Sequence, residues 1–204
     1  MNGFTVKQPG LLSLAQDSGR FGQHAIGLTN GGPLDGPAFR LCNRLLDNPE
    51  GATAVEVSFG GLELEAGVDS YICVTGASMP LSVNGEARPR YQVLPVRAGD
   101  RIQLGFSEKG ARAYLGVANG FKLEPSFGST ATVPRESIGG LDGGKLKVGD
   151  HLPADAVAAR PIRFLPPEHQ PRITDVAIIR VIPGYQQEYF DRIQQRRFFS
   201  HKYV

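Results

Sequence analysis

Short runs in which apolar and polar residues alternate recur through the first two thirds of the chain, the pattern of half-buried strands. FTVKQP (Phe4 to Pro9) and LLSLAQ (Leu11 to Gln16) alternate in this way and are separated by Pro9 and Gly10. TAVEVSF (Thr53 to Phe59), LELEA (Leu62 to Ala66) and YICVTG (Tyr71 to Gly76) have strand length and are divided by glycine or aspartate turns, which predicts a meander. LSVNGEARP carries Asn84-Gly85 between extended arms, a hairpin signal. YQVLPVRAGDRIQLGF and ARAYLGVANGF supply three more strands. One helix interrupts the series. Asp35 is placed to cap its first turn, Pro37 suits an early helical position, and Ala38, Leu41, Cys42, Leu45 and Leu46 recur at helical spacing before Asn48-Pro49 closes it. The expected fold is mostly β with a few helices.

From Glu124 to His151 apolar density falls, and a proline-studded stretch follows. The predicted division is a first β unit with its linker loop over 1–152, a proline-rich connection over 153–172, and the start of a second unit over 173–204. In the last of these, TDVAIIRVIPG (Thr174 to Gly184) reads as a buried strand and QEYFDRIQQRRFF as a helix with Tyr189, Ile193 and Phe198 on one face. The closing KYV reads as the start of another strand. A strand and a helix do not make a domain, so the second unit is expected to be incomplete.

The chain has 204 residues, 41% of them hydrophobic, enough for one good core or two small ones and too many for a disordered chain. A net charge of +2 with scattered basic residues argues against a nucleic-acid partner, and the basic run near Arg192 to Lys202 reads as a solvated helix face. Two cysteines make no disulfide framework; Cys42 and Cys73 both fall on apolar faces. The N-terminus lacks a basic region followed by an apolar core, so a cytoplasmic location is expected.

Candidate chemistry concentrates between Leu11 and Gly61, where Gln16, Asp17, Arg20, His24, Asn30, Asp35, Asn43 and Glu56 are threaded among glycines that let backbone approach a ligand. The stretch Asp17 to Leu34 is long for a loop in a compact domain, as functional loops are. Two readings of its start are open. Asp17 caps a turn, Gly19 is left-handed and Arg20 pairs with a nearby acid; or the Arg20 guanidinium holds a carboxylate or amide-derived anion. Glu56 points opposite to Val55 and Val57, toward solvent or, within a barrel, a polar lumen. Glu63 and Glu65 alternate outward and are expected to be solvated. The four histidines lack metal-site spacing, and His24 alone is a secondary candidate for a base. Gly139 to Lys145 matches a phosphate-loop pattern, but Leu146 stands where the hydroxyl belongs and no helix follows.

Several ordered motifs carry a resemblance: Q-D-x-G-R-x-G at Gln16 to Gly22, Gly27, G-x-x-D at Gly32 to Asp35, N-R-L-x-x-N-P at Asn43 to Pro49 and E-x-x-x-G-G at Glu56 to Gly61, with GVANGF, FGS, LDGGKLKVGDHL and RVIPG further on. The chain resembles the biotin-dependent carboxyltransferase family that includes the C subunit of 5-oxoprolinase and allophanate hydrolase subunit 2. The resemblance implies cyclophilin-like β-barrel subdomains, the second incomplete here because relatives continue past Val204. It also implies one of three roles. The first is the C subunit of a multi-subunit, ATP-dependent 5-oxoprolinase opening 5-oxoproline to glutamate. The others are the carboxyltransferase component of a biotin-dependent urea carboxylase/allophanate system, and a non-catalytic regulator binding a sensor-kinase inhibitor protein.

On this basis Arg20, Asp17 and Glu56 are the expected catalytic residues, and Gln16, Asn30, Gly32, Asp35 and His24 the expected substrate contacts. Arg20 would hold an anionic group, Gln16 and Asn30 an amide, and Asp17 or Glu56 would orient or exchange protons. Where relatives read G-S-R-S-T-Y, this chain has Gly128-Ser129-Thr130-Ala131-Thr132-Val133 and lacks that arginine and tyrosine. It has no Met-Lys-Met biotin attachment site and no credible ATP loop, so no covalent cofactor is expected. ATP, and biotin in the urea branch, would come through partner proteins, the B-type subunit of a 5-oxoprolinase or subunit 1 of an allophanate hydrolase.

Overall fold

The computed structural model describes residues 2–174, 176 and 178–202. The chain divides into two compact units, the first ending at Ile173 and the second starting at Thr174. In the first, the strands are β1 (Gly3–Pro9), β2 (Leu12–Gln16), β3 (Ala54–Ser58), β4 (Leu62–Ala66), β5 (Ser70–Ser78), β6 (Leu81–Val83), β7 (Glu86–Arg88), β8 (Leu94–Val96), β9 (Arg101–Leu104), β10 (Lys109–Val117) and β11 (His151–Pro153), with helix α1 at Gly36–Leu45. Pairing is antiparallel throughout. One sheet has the order β11-β1-β4-β9-β6-β7 and the other β2-β3-β10-β5-β8.

Alternation along the strands explains how the two sheets share a core. Phe4 and Val6 on β1, Leu62 and Leu64 on β4, and Ile102 and Leu104 on β9 face Val55 and Val57 on β3, Ile72 and Val74 on β5, and Leu115 and Val117 on β10. Each such side chain contributes about 1.5–3 kcal/mol by leaving water. The Asn84-Gly85 turn has φ of 53° and 81°, both left-handed, as a tight two-residue hairpin between twisted strands requires.

The outer face of the five-stranded sheet is covered as well. Asp35 Oδ1 accepts from Ala38 N at 3.1 Å and starts α1, which presses Ala38, Phe39, Cys42 and Leu45 onto Ala54, Cys73 and Tyr114. Gly116 permits this approach: a Cβ there would lie 2.8 Å from both Cys42 Sγ and Leu46 Cδ1. Covering this face overturns the expectation that Glu56 points to solvent or a lumen. It does lie opposite Val55 and Val57, but beneath the chain entering α1, and is only 5% exposed. Glu63, expected to be solvated, faces outward on the other sheet yet is 8% exposed, because Gln103 and Arg101 on β9 lean over it.

Residues 124–151, which the composition marks as a boundary stretch, close back onto β2: Thr132 N donates to Ala15 O at 3.0 Å and Leu146 N to Ser13 O at 2.9 Å. The proline-rich stretch also lies in the first unit, where Val93 N donates to Arg163 O and Leu165 N to Tyr91 O, both at 2.8 Å.

The second unit holds helix α2 (Arg192–Ser200), started by a reciprocal cap between Asp191 and Gln194. Tyr189 belongs to a preceding 3-10 turn, so the helix begins later than predicted. The expected buried strand is not formed among the described residues of 174–184, and Ile178 and Ile182 are 97% and 94% exposed. A strand needs a neighbour for its backbone donors and acceptors, and the described residues of this unit offer none. The reading of KYV as a strand falls largely on Tyr203 and Val204, which lie outside the described residues.

Candidate functional site

Strand β2 ends at Gln16, and the chain turns sharply. Asp17 Oδ1 accepts from Gly19 N at 2.8 Å, with Gly19 at φ 95°. A side chain at Gly19 would strike Asn30 O, whose carbonyl instead accepts from Arg20 N at 2.7 Å. The long loop is thus folded into a narrow return that brings Gly31 back against Arg20.

Against this turn packs the segment Ser126–Thr132. Asp17 accepts from Ser129 Oγ at 2.6 Å and from Thr130 N at 2.7 Å. Ser129 Oγ in turn accepts from Ala131 N at 3.0 Å, and the hydroxyls of Thr53 and Thr130 meet at 2.7 Å. The Arg20 guanidinium is 1% exposed; its Nη2 donates to Ala131 O at 2.6 Å and its Nε, at 3.4 Å, to Ser126 O. Gln16 Nε2 donates to Thr132 O at 3.0 Å.

Two buried polar atoms in this cluster have no protein partner: Arg20 Nη1, a donor, and Gln16 Oε1, an acceptor. Nor does any carboxylate among the described residues pair with Arg20; both Asp17 oxygens are directed at Gly19, Ser129 and Thr130. The turn reading of Asp17 and Gly19 is therefore what the structure contains, whereas the acid expected beside Arg20 is absent. An ion buried without a counter-charge costs several kcal/mol even after relaxation, about the cost of breaking a buried pair. Two carbonyl acceptors offset part of that cost.

A second cluster surrounds Glu56. Its Oε2 accepts from Tyr114 O–H at 2.6 Å and from Leu34 N at 2.8 Å, while Oε1 lies 3.5 Å from Arg112 Nε. Tyr114, directly opposite Glu56 on β10, also accepts from Asp35 N at 2.8 Å. Burial, reinforced by the Glu56 hydrogen bond and charge, holds the Tyr114 phenol far above its ordinary range. Tyr114 is therefore a fixed donor to a fixed carboxylate, a clamp on the chain where it enters α1.

The predicted residues separate accordingly. Gln16, Asp17 and Arg20 meet in one cluster; Glu56 and the backbone of Asp35 meet in the other, linked to the first by the loop. Asn30 contributes its carbonyl, Gly32 packs its backbone under Ser18 O at φ 91°, and His24 sits exposed in a 3-10 turn at His24–Ile26. The structure adds Ser129, Thr130, Thr132, Thr53, Tyr114 and Arg112 to the candidate site. The Ser-Thr-Ala-Thr run inside a glycine-rich loop is the one signal for Ser129, Thr130 and Thr132; Thr53, Arg112 and Tyr114 have none, and register alone sets Tyr114 against Glu56. Among the described residues no three His, Cys, Asp or Glu side chains gather as metal ligands, and no helix is long and apolar enough to cross a membrane. One groove of the first unit, of about 410 Å³, runs along Glu63, Gln103 and Phe106.

Comparison with known proteins places the chain in a family. The family model described as "Carboxyltransferase domain, subdomain A and B" matches residues 26–204. The chain is 34% identical over 199 residues to the C subunit of 5-oxoprolinase from Escherichia coli, covering 95% of this chain and 62% of that protein. It is 32% identical over 148 residues to urea amidolyase of Saccharomyces cerevisiae, covering 72% of this chain and 8% of that one. Among solved structures, TTHA0988 superposes with a TM-score of 0.80 at 33% identity over 90% of this chain and 67% of the other. The Kluyveromyces lactis urea amidolyase superposes with a TM-score of 0.77 at 29% identity over 84% of this chain and 11% of the other. The chain thus spans about three fifths of the length of its bacterial relative. With a family match over most of its residues and the same fold in its structural neighbours, this chain belongs to the carboxyltransferase domain family, subdomains A and B.

Proposed function

We propose that this chain serves as the C subunit of a multi-subunit, ATP-dependent 5-oxoprolinase that opens 5-oxoproline to glutamate. One observation carries the reading. The matches to the 5-oxoprolinase C subunits of Escherichia coli and Haemophilus influenzae run through 95% and 93% of this chain. The match to the Saccharomyces cerevisiae urea amidolyase takes in 72% of it. The relatives named as subunits are also those whose length is nearest to that of this chain.

Opening a lactam adds water across a C–N bond, with negative charge developing on the carbonyl oxygen and a proton required at the departing nitrogen. In this reading Arg20 supplies fixed positive charge, Gln16 and Asn30 supply amide contacts, and the exposed His24 is a further substrate contact. Asp17 and Glu56, already committed to three and two hydrogen bonds respectively, hold the two walls and act by orienting. Gly32 and Asp35 shape the return of the loop into α1. ATP would reach the reaction through partner subunits in the cytoplasm.

The test is reconstitution of the chain with candidate partner subunits, following glutamate formed from 5-oxoproline and ATP. Release that requires this chain and is lost in Arg20→Ala is expected. Release unaffected by omitting the chain overturns the proposal, and urea-dependent ATP turnover with a biotinylated partner transfers the chain to the urea reading.

A further inference from the structure

Resting on the reading above for the existence of a partner subunit, we infer that the groove between α1 and residues 162–165 is where that subunit docks, through an acidic segment that also carries apolar side chains. The groove, of about 640 Å³, has Leu41 and Leu45 of α1 on one side and Ile162 and Phe164 on the other, with Arg44 and Arg163 among its lining. Ile162 and Phe164 are 51% and 61% exposed, an apolar pair whose contact with water is unfavourable. The charge beside them is one-sided. Arg40 and Arg44 stand four residues apart on the exposed face of α1, and neither guanidinium makes an ion pair or hydrogen bond among the described residues. Like charges at this spacing work against the helix.

The acid that follows α1 does not cancel this charge. Arg163 and Arg160 both converge on Asp47, at 2.7 Å and 4.0 Å, so that carboxylate already serves two cations. A carboxylate from outside would meet Arg44 unopposed and relieve its repulsion with Arg40. Arginines beside an aromatic and aliphatic trough have the composition of protein interfaces, where the flat, weakly hydrated guanidinium pairs with carboxylates as water leaves. The backbone at Phe164 favours a polypeptide as the occupant. Val93 N donates to Arg163 O and Leu165 N to Tyr91 O, which makes Gln92 and Phe164 a non-hydrogen-bonded antiparallel pair. In such a pair the N–H and C=O are directed away from the neighbouring strand. Those of Phe164 make no hydrogen bond among the described residues, so an extended segment finds an open strand edge beside the arginines and the apolar wall. A phosphate or a nucleic acid would use the cations and leave both the edge and the apolar pair uncovered.

Interferometry of the full chain against the candidate B-type subunit used for reconstitution tests this surface. The double variant Arg40→Glu, Arg44→Glu reverses the charge and removes no hydrogen bond or ion pair among the described residues. Phe164→Ala removes apolar wall and leaves the charge. The unaltered chain is expected to bind less tightly as salt rises from about 50 to about 500 mM. The charge-reversed variant should bind at least about tenfold more weakly at the lower salt and lose most of that salt dependence, whereas Phe164→Ala should bind about tenfold more weakly and keep it. Circular dichroism and an unchanged Tm establish that both variants are folded. Unchanged affinity in both folded variants overturns the inference and leaves the 5-oxoprolinase reading standing, because the subunit then binds elsewhere. Loss of self-association in the variants, read by sedimentation velocity with partner binding intact, assigns the groove to a second copy of this chain and likewise overturns it. Weakened binding in the variants, with no glutamate released by the unaltered subunits together, overturns the 5-oxoprolinase reading and leaves the docking surface.

Discussion

Replacing Asp17 by alanine tests whether the carboxylate holds the two walls of the candidate site together. Three donors converge on it: Gly19 N at 2.8 Å, Ser129 Oγ at 2.6 Å and Thr130 N at 2.7 Å. Hydrogen bonds to a charged group contribute about 1.5–3 kcal/mol each, and a buried donor left unpaired costs about 1–3 kcal/mol. Asp17 is half-buried and its bonds are not independent, so the simple sum is too large; a net loss of about 3 kcal/mol is expected. For a unit of this size that is a fall in Tm of roughly 6–12 °C. Asp17→Asn, which keeps one acceptor oxygen, should lose about half as much. Hydrogen exchange adds a positional readout, because the Thr130 and Ala131 amides should lose protection before the core strands do. A loss under about 1 kcal/mol, or exchange unchanged at Thr130, would refute the reasoning and leave the 126–132 segment held by its bonds to Arg20, Gln16, Thr53 and Ala15.

Further expectations concern the outer face of the five-stranded sheet and the acid range. Tyr114→Phe removes the hydroxyl shared by Glu56 and Asp35 N and should cost about 1–3 kcal/mol in urea unfolding, with no change in the denaturant slope. Gly116→Ala puts a methyl 2.8 Å from Cys42 Sγ and Leu46 Cδ1 and should cost about 1–3 kcal/mol by overpacking; a neutral result would mean that α1 can slide. Arg163 holds the Asp47 carboxyl below its usual range by hydrogen bond and charge, and Lys147 does the same for Asp142. Folded values lower than 3.8 mean stability fully present above that pH and lost as pH falls through the folded values. Unfolding from pH 6 down to about pH 2 should therefore decline less steeply in the double variant Asp47→Asn, Asp142→Asn; identical slopes would exclude these pairs as contributors.

Much of the fold was legible because it is local. Alternation located ten of the eleven strands of the first unit, missing β11, and the meander expected of β3, β4 and β5 is not formed because β4 pairs in the other sheet; Asn84-Gly85 located the hairpin, and Asp35 with Pro37 the start of α1. Burial of an outward position is not local. Nothing near Glu56 in sequence says that α1 and its approach will lie across that face, and nothing near Glu63 announces Arg101 and Gln103. The second unit shows the opposite failure. VAIIRVI has strong strand propensity, but strands are completed by neighbours, and none is described there. For the candidate site, the 16–35 wall was readable from its polar and glycine residues, whereas the 126–132 wall is more than a hundred residues from Gln16 and Arg20 and joins mostly through backbone atoms, with only the Ser129 hydroxyl among side chains reaching Asp17.

The loop that presses on Arg20 is also what occupies the outer edge of β2. Thr132 and Leu146 take the carbonyls of Ala15 and Ser13 that a foreign strand would otherwise use. Substitutions that loosen this loop would therefore do more than disturb a binding surface. They would bare an unpaired strand edge, so that loosened variants would tend to aggregate. Changes to what the loop presents beside Arg20 and changes that uncover the strand edge fall on the same few residues, which narrows the substitutions the loop can accept.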